Sequence, residues 1–99
     1  MVRVQRNITH TFLQLQKNLE VKIKDLNNRS IDAQKVIEYL YTHPVIEATK
    51  VAEIIQKSNV TAYKLLADFE KLDILKEISG AQRNKLYVFK EYIELFNND

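Results

Sequence analysis

The chain contains no cysteine and no tryptophan, and only one glycine and one proline in 99 residues. Without thiols there is no disulfide framework and no thiolate metal site, which suits a reducing, cytoplasmic setting. One glycine and one proline leave little material for turn-rich sandwiches, barrels or flexible linkers, so the expectation is a mostly helical protein. No apolar run approaches the roughly 18 residues of a membrane span, and Met1 to His10 lacks the apolar stretch of a signal peptide, so a soluble chain without membrane partners is expected. A chain of this length builds one core of radius about 13 Å, with no room for a substrate domain beside a cofactor domain. Most enzyme classes are thereby excluded.

The composition that is present, 45% hydrophobic and 28% charged, is that of an ordinary globular domain. The formal net charge of +2 hides an asymmetry. Residues 1 to 29 carry six bases (Arg3, Arg6, Lys17, Lys22, Lys24, Arg29) against two acids, a balance of +4, whereas residues 30 to 99 carry nine bases and eleven acids, a balance of −2. This shift matches a division into a basic amphipathic helix, 1–29, and a compact unit, 30–99.

In the first segment Val4, Ile8, Phe12, Leu15, Leu19, Ile23 and Leu26 recur at intervals of 4, 4, 3, 4, 4 and 3. The mean of about 3.67 residues keeps one apolar stripe on one side of a nearly straight helix rather than winding it into a heptad seam. A helix from Val4 to Leu26 would span roughly 34 Å, longer than the domain is wide, so part of the stripe is expected to need another surface. Val4, Ile8, Phe12, Leu15, Leu19 and Ile23 are therefore candidate interface residues, for a homodimer or for a missing domain.

Asn27-Asn28-Arg29-Ser30 breaks the pattern. Asp32 is a plausible cap for a second helix carrying Val36, Ile37, Leu40 and Tyr41, which stops before Pro44 because the residue preceding proline avoids the helical region. Val45 to Ala48 is a short β-prone run, and Thr49 is placed to cap a brief helix burying Val51, Ile54 and Ile55. Ser58 can cap the next, in which Ala62, Leu65, Leu66, Phe69 and Leu72 follow the i, i+3, i+4 template. The two read as a helix-turn-helix pair. Asp73 ends the second where a left-handed residue would fit. Thereafter Ile74 to Ile78 and Lys85 to Phe89 are β-prone runs flanking a loop that holds Gly80, a hairpin signal, and Tyr92, Ile93, Leu95 and Phe96 close the chain as a short helix. The expected class is mainly α with a small β hairpin: a winged helix-turn-helix preceded by a long N-terminal helix.

His43-Pro44-Val45-Ile46, Ser58-Asn59-Val60-Thr61-Ala62, Leu72-Asp73-Ile74-Leu75, Ser79-Gly80-Ala81-Gln82-Arg83-Asn84 and Tyr87 to Tyr92 together resemble the C-terminal winged helix of Fic-family proteins, over residues 32 to 96. Asp73 and Lys57 depart from that pattern, standing where the family usually has a glycine and an apolar residue. The resemblance implies a DNA-binding or regulatory module attached to a Fic-type core, many of which transfer AMP to protein hydroxyls. That core uses a His-Pro-Phe-x-x-Gly-Asn-Gly-Arg signature. Here His43-Pro44 is followed by Val45-Ile46-Glu47, and a lone glycine cannot build the phosphate cradle. This chain is thus expected to be non-catalytic, without cofactor or metal.

Neither His10 nor His43 stands beside a carboxylate pair at catalytic spacing, and Ser58 and Thr61 have no base near them in sequence. The candidate contacts are instead to double-stranded DNA. The start of the second helix in such a pair enters the major groove, which nominates Asn59, Thr61, Tyr63 and Lys64. Lys50, Lys57 and Lys71 are placed to hold phosphates, and Gln82, Arg83, Asn84 and Lys85 to touch backbone or minor groove. Asp68 and Glu70 on the same helix weigh against this reading. The alternative is a protein-interaction module that docks a Fic catalytic domain, in the same or a partner chain, or pairs with itself through the first helix. Tyr87, Phe89, Tyr92 and Phe96 are expected to pack the core rather than to stack on bases.

Overall fold

The computed structural model describes the backbone of residues 8–80 and 85–97 and the side chains of 11–80 and 85–96. Helix α1 (Ile8–Lys24) is followed by a 3-10 turn (Asn27–Arg29), α2 (Ser30–Leu40), β1 (Val45–Glu47), α3 (Ala48–Ile55), α4 (Asn59–Lys71), β2 (Lys76–Glu77), β3 (Leu86–Val88) and α5 (Lys90–Asn97). The three short strands form one antiparallel sheet in the order β1-β3-β2, with Ile46 opposite Tyr87 and Glu77 opposite Tyr87 on the other side. This is a winged helix with an additional helix at either end. Among the described residues no helix is long and apolar enough to cross a membrane.

Local chemistry sets the boundaries. Asn27 takes a left-handed conformation (φ 56°), which asparagine tolerates better than most residues, and ends α1. The 3-10 turn then runs straight into α2, the Ser30 amide donating to the Asn27 carbonyl, so α2 starts at Ser30 without a side-chain cap. Asp32 is consequently not the cap expected from the sequence. It lies in the first turn and faces inward, 6% exposed. Thr49 is not a cap either: α3 begins one residue earlier, and the Thr49 hydroxyl donates to the Glu47 carboxylate at 3.2 Å. Ser58 does cap α4, its Oγ accepting from the Thr61 amide at 3.2 Å.

Helix α3 ends at Gln56, also left-handed (φ 58°), with the Lys57 amide donating to the Ala52 carbonyl at 3.1 Å. At the end of α4, left-handed Asp73 (φ 63°) sits between two returning bonds, its own amide to the Glu70 carbonyl at 3.1 Å and that of Ile74 to the Phe69 carbonyl at 2.8 Å. That is a Schellman stop built without glycine. The β-prone runs pair over a shorter length than their sequence suggests, because Ile74 and Leu75 turn into the core before β2 begins.

The core is one cluster. Val36, Ile37 and Leu40 of α2 meet Val51 and Ile55 of α3, Leu65, Leu66 and Phe69 of α4, and Tyr87 and Phe89 of the sheet. Its third side is α1, which packs on α2 and α5 and contributes Leu15, Leu19 and Ile23, each no more than 5% exposed. These three residues are therefore not presented to a partner, as the helix-length argument suggested. The stripe is used within the chain because α5 folds back to extend the surface that α1 lies on. An aromatic group secures that contact: Tyr92 packs against Phe12, Tyr41, Phe89 and Phe96 at ring separations of 5.1 to 6.0 Å, and its hydroxyl donates to the Tyr41 carbonyl at 2.7 Å. Tyr87 and Phe89 are buried in the core, so neither offers a face for base stacking.

Candidate nucleic-acid interface

Helix α4 buries Ala62, Leu65, Leu66 and Phe69. At about 100° per residue, the direction opposite this apolar side runs through Val60, Lys64, Ala67 and Lys71, and all four are exposed. Tyr63, 41% exposed, borders this face, on which Val60 is 66% exposed, and Asn59, the first residue of the helix, is exposed on the Tyr63 side. Among the described residues, the side chains of Asn59, Lys64 and Lys71 make no hydrogen bond or ion pair. Val60 and Ala67, the apolar members of this stripe, are not among the residues nominated from sequence. Their signal there is position, since both fall opposite the i, i+3, i+4 set.

Two ion pairs orient this helix. Arg29 reaches from the 3-10 turn to Asp68 of α4, its Nε 2.8 Å and a terminal nitrogen 2.6 Å from the same carboxylate oxygen. Asp68 thus turns toward the 3-10 turn with its charge matched, and Glu70 remains as the exposed acid of the helix. Lys57, in the turn between α3 and α4, donates to Asp32 at 2.6 Å. A buried carboxylate needs a partner to stay charged, and this lysine supplies it. Lys57 is thereby committed to the fold and is not the free phosphate-holding cation expected from sequence.

The other candidates divide. Lys50 is bonded to Glu53 at 2.9 Å and lies 5.4 Å from the centre of the Tyr39 ring; the Glu53 hydrogen bond, followed by its charge, raises the lysine pKa. It too is engaged within the chain. Thr61 is half-buried and its hydroxyl lies 3.2 Å from that of Ser58, so it serves the helix start. Lys85 precedes β3 and is half-buried. Gln82, Arg83 and Asn84, like Val4 among the interface candidates, lie outside the described residues, as does the side chain of Ile8. His43 stacks on Tyr39 at 4.5 Å with Nδ1 2.9 Å from the Thr42 hydroxyl, the position of a helix-end residue.

No family model, no curated protein and no solved structure matches this chain.

The hairpin has its own electrostatic lock. The Glu77 carboxylate accepts from the Ser79 hydroxyl at 2.7 Å, the Ser79 amide at 3.0 Å and the Gly80 amide at 2.6 Å. These bonds, the Ser79 hydroxyl foremost, hold its pKa below the usual carboxylate range, with Lys85 adding a smaller attraction. Gly80 adopts φ +67°, a conformation that costs glycine nothing. The turn entering the wing is thus shaped by one carboxylate gripping two consecutive amides.

Proposed function

We propose that the chain is a non-catalytic DNA-binding winged-helix module that lays α4 in the major groove, with a regulatory role in the cytoplasm. The observation that supports it is the outward stripe of α4: Lys64 and Lys71 stand on it without a partner among the described residues, while Asp68, to the side of the helix, is paired with Arg29. A helix that buries one face and holds two uncommitted cations on the other suits a groove walled by phosphates. The wing sequence adds Arg83 and Lys85. The resemblance to the Fic family fits the same reading, placing such a module on the C-terminal side of an AMP-transferring core that supplies the chemistry.

The test is fluorescence anisotropy with mixed-sequence duplex at low salt. Contacts from Lys64, Lys71, Arg83 and Lys85 to about four phosphates give a slope of log affinity against log salt near −3.6. Lys64→Ala is expected to reduce that slope by about one. Absence of a salt-dependent complex defeats the proposal.

A second reading is favoured by Leu13 and Val21, 55% and 65% exposed on the outer side of α1. In it the chain is a docking module for a protein surface, a Fic catalytic domain or its own copy. Sedimentation that finds a monomer at high concentration removes the self-pairing form.

A further inference from the structure

We propose that the outward face of α4 reads thymine methyl groups in the major groove, so that the module prefers A·T-containing sites; this deepens the DNA-binding reading above and rests on it. The face has an unusual make-up for a solvated helix surface. Val60, on the first turn beside the Ser58 cap, is 66% exposed, and Ala67 is exposed two turns further on. Both stand outside the buried core with much of their apolar surface in water, and β-branched Val60 does not favour the helix it stands on. Lys64 and Lys71 alternate with them along the same line, each one turn from its apolar neighbour.

A partner that matches this pattern is anionic at its borders and offers small apolar groups between them. The major groove is such a surface: phosphates line its walls about 12 Å apart, and on its floor the C5-methyl of thymine is the one apolar group exposed by the bases. The polar neighbours agree. Asn59, exposed and without a side-chain partner among the described residues, has the amide geometry that pairs with adenine N6 and N7. The described helix 59–71 contains no arginine, the residue that most often reads guanine. Asn59 on adenine and Val60 on the methyl of a neighbouring thymine make one consistent reading of an A·T step.

The experiment uses the full chain and three labelled duplexes of about 20 base pairs, two helical turns. One is A·T-rich, one is the same sequence with every thymine replaced by uracil, and one is G·C-rich. Replacing thymine by uracil removes the methyl and leaves the phosphates and minor-groove edges unchanged. The expected result is tighter binding to the thymine duplex than to the uracil duplex, by about fourfold for each methyl buried. Val60→Ser, a surface change checked for folding by circular dichroism, reduces the difference by about fourfold, the share of one methyl, and leaves the salt slope intact. Salt-dependent binding that is equal for thymine and uracil overturns the methyl reading while DNA binding stands. A thymine preference that Val60→Ser leaves undiminished overturns the assignment to α4. No binding to any of the three overturns this inference together with the reading it rests on.

Discussion

The substitution Leu19→Ala asks whether α1 is part of the fold or an arm awaiting a partner. Leu19 is 2% exposed at the centre of the α1 stripe and belongs to the single core cluster. Truncation removes three carbons, worth about 2.4 kcal/mol at roughly 0.8 kcal/mol each, and leaves a cavity between α1 and the rest of the core that adds to the loss. The expected destabilisation is about 3–4 kcal/mol, a large share of the roughly 5–15 kcal/mol that holds a domain of this size together. Thermal unfolding should fall by on the order of 15–25 °C, and the urea midpoint by about 2 M. Both are read by circular dichroism at several protein concentrations. The control is Val21→Ala on the outer face of the same helix, 65% exposed, which should stay within about 0.5 kcal/mol of the parent. A midpoint that Leu19→Ala leaves unmoved would refute the packing argument. So would one that climbs with protein concentration in the parent, because the stripe would then be stabilised by association rather than by its own chain.

Removing one member of the Asp32–Lys57 pair should cost more than removing both: Lys57→Ala strands an inward-facing carboxylate, and with Lys57 half-exposed the loss is about 1–2 kcal/mol, part of which Asp32→Asn in the same chain restores, as urea titration of the single and double variants will record. The Glu77 lock predicts a pH dependence confined to the wing. Its folded-state pKa is depressed, so the ionised form that grips Ser79 and Gly80 is fully favoured above the unfolded value and is lost as pH falls through the folded one. The Gly80 amide resonance followed by NMR should hold its position through the usual carboxylate range and move only below it, and Glu77→Gln should remove the transition; a Gly80 shift that titrates at the ordinary carboxylate pH would contradict the hydrogen bonding described.

Much of this architecture is legible in local sequence because its determinants are local. The i, i+3, i+4 run from Ala62 to Phe69 specifies α4 and its buried side, Ser58 can cap only the residues just ahead of it, and Asp73 follows Leu72, the C-cap, where a left-handed stop is needed. The change of apolar rhythm after Leu72 marks the hairpin, and the spacing of Tyr92 and Phe96 brings their rings together on one side of the last helix. The acidic side of α4 misleads for the converse reason. Counted along the chain, Asp68 weakens the case for an anionic partner; its neutralising arginine lies 39 residues away in sequence, beyond any window of local pattern.

What the order of residues determined by itself was the succession of helices and strands, their principal stops and the apolar side of each, since these follow from backbone sterics and from periodicities of a few residues. Only the tertiary structure decided where those sides are spent: that α5 returns to complete the seat of α1, that Asp32 faces Lys57 instead of capping its helix, and that Arg29 pairs with Asp68 at the side of α4. The physical reason is that burial and charge pairing depend on distance in space, and a chain folded on itself sets that distance independently of how far apart two residues stand along it.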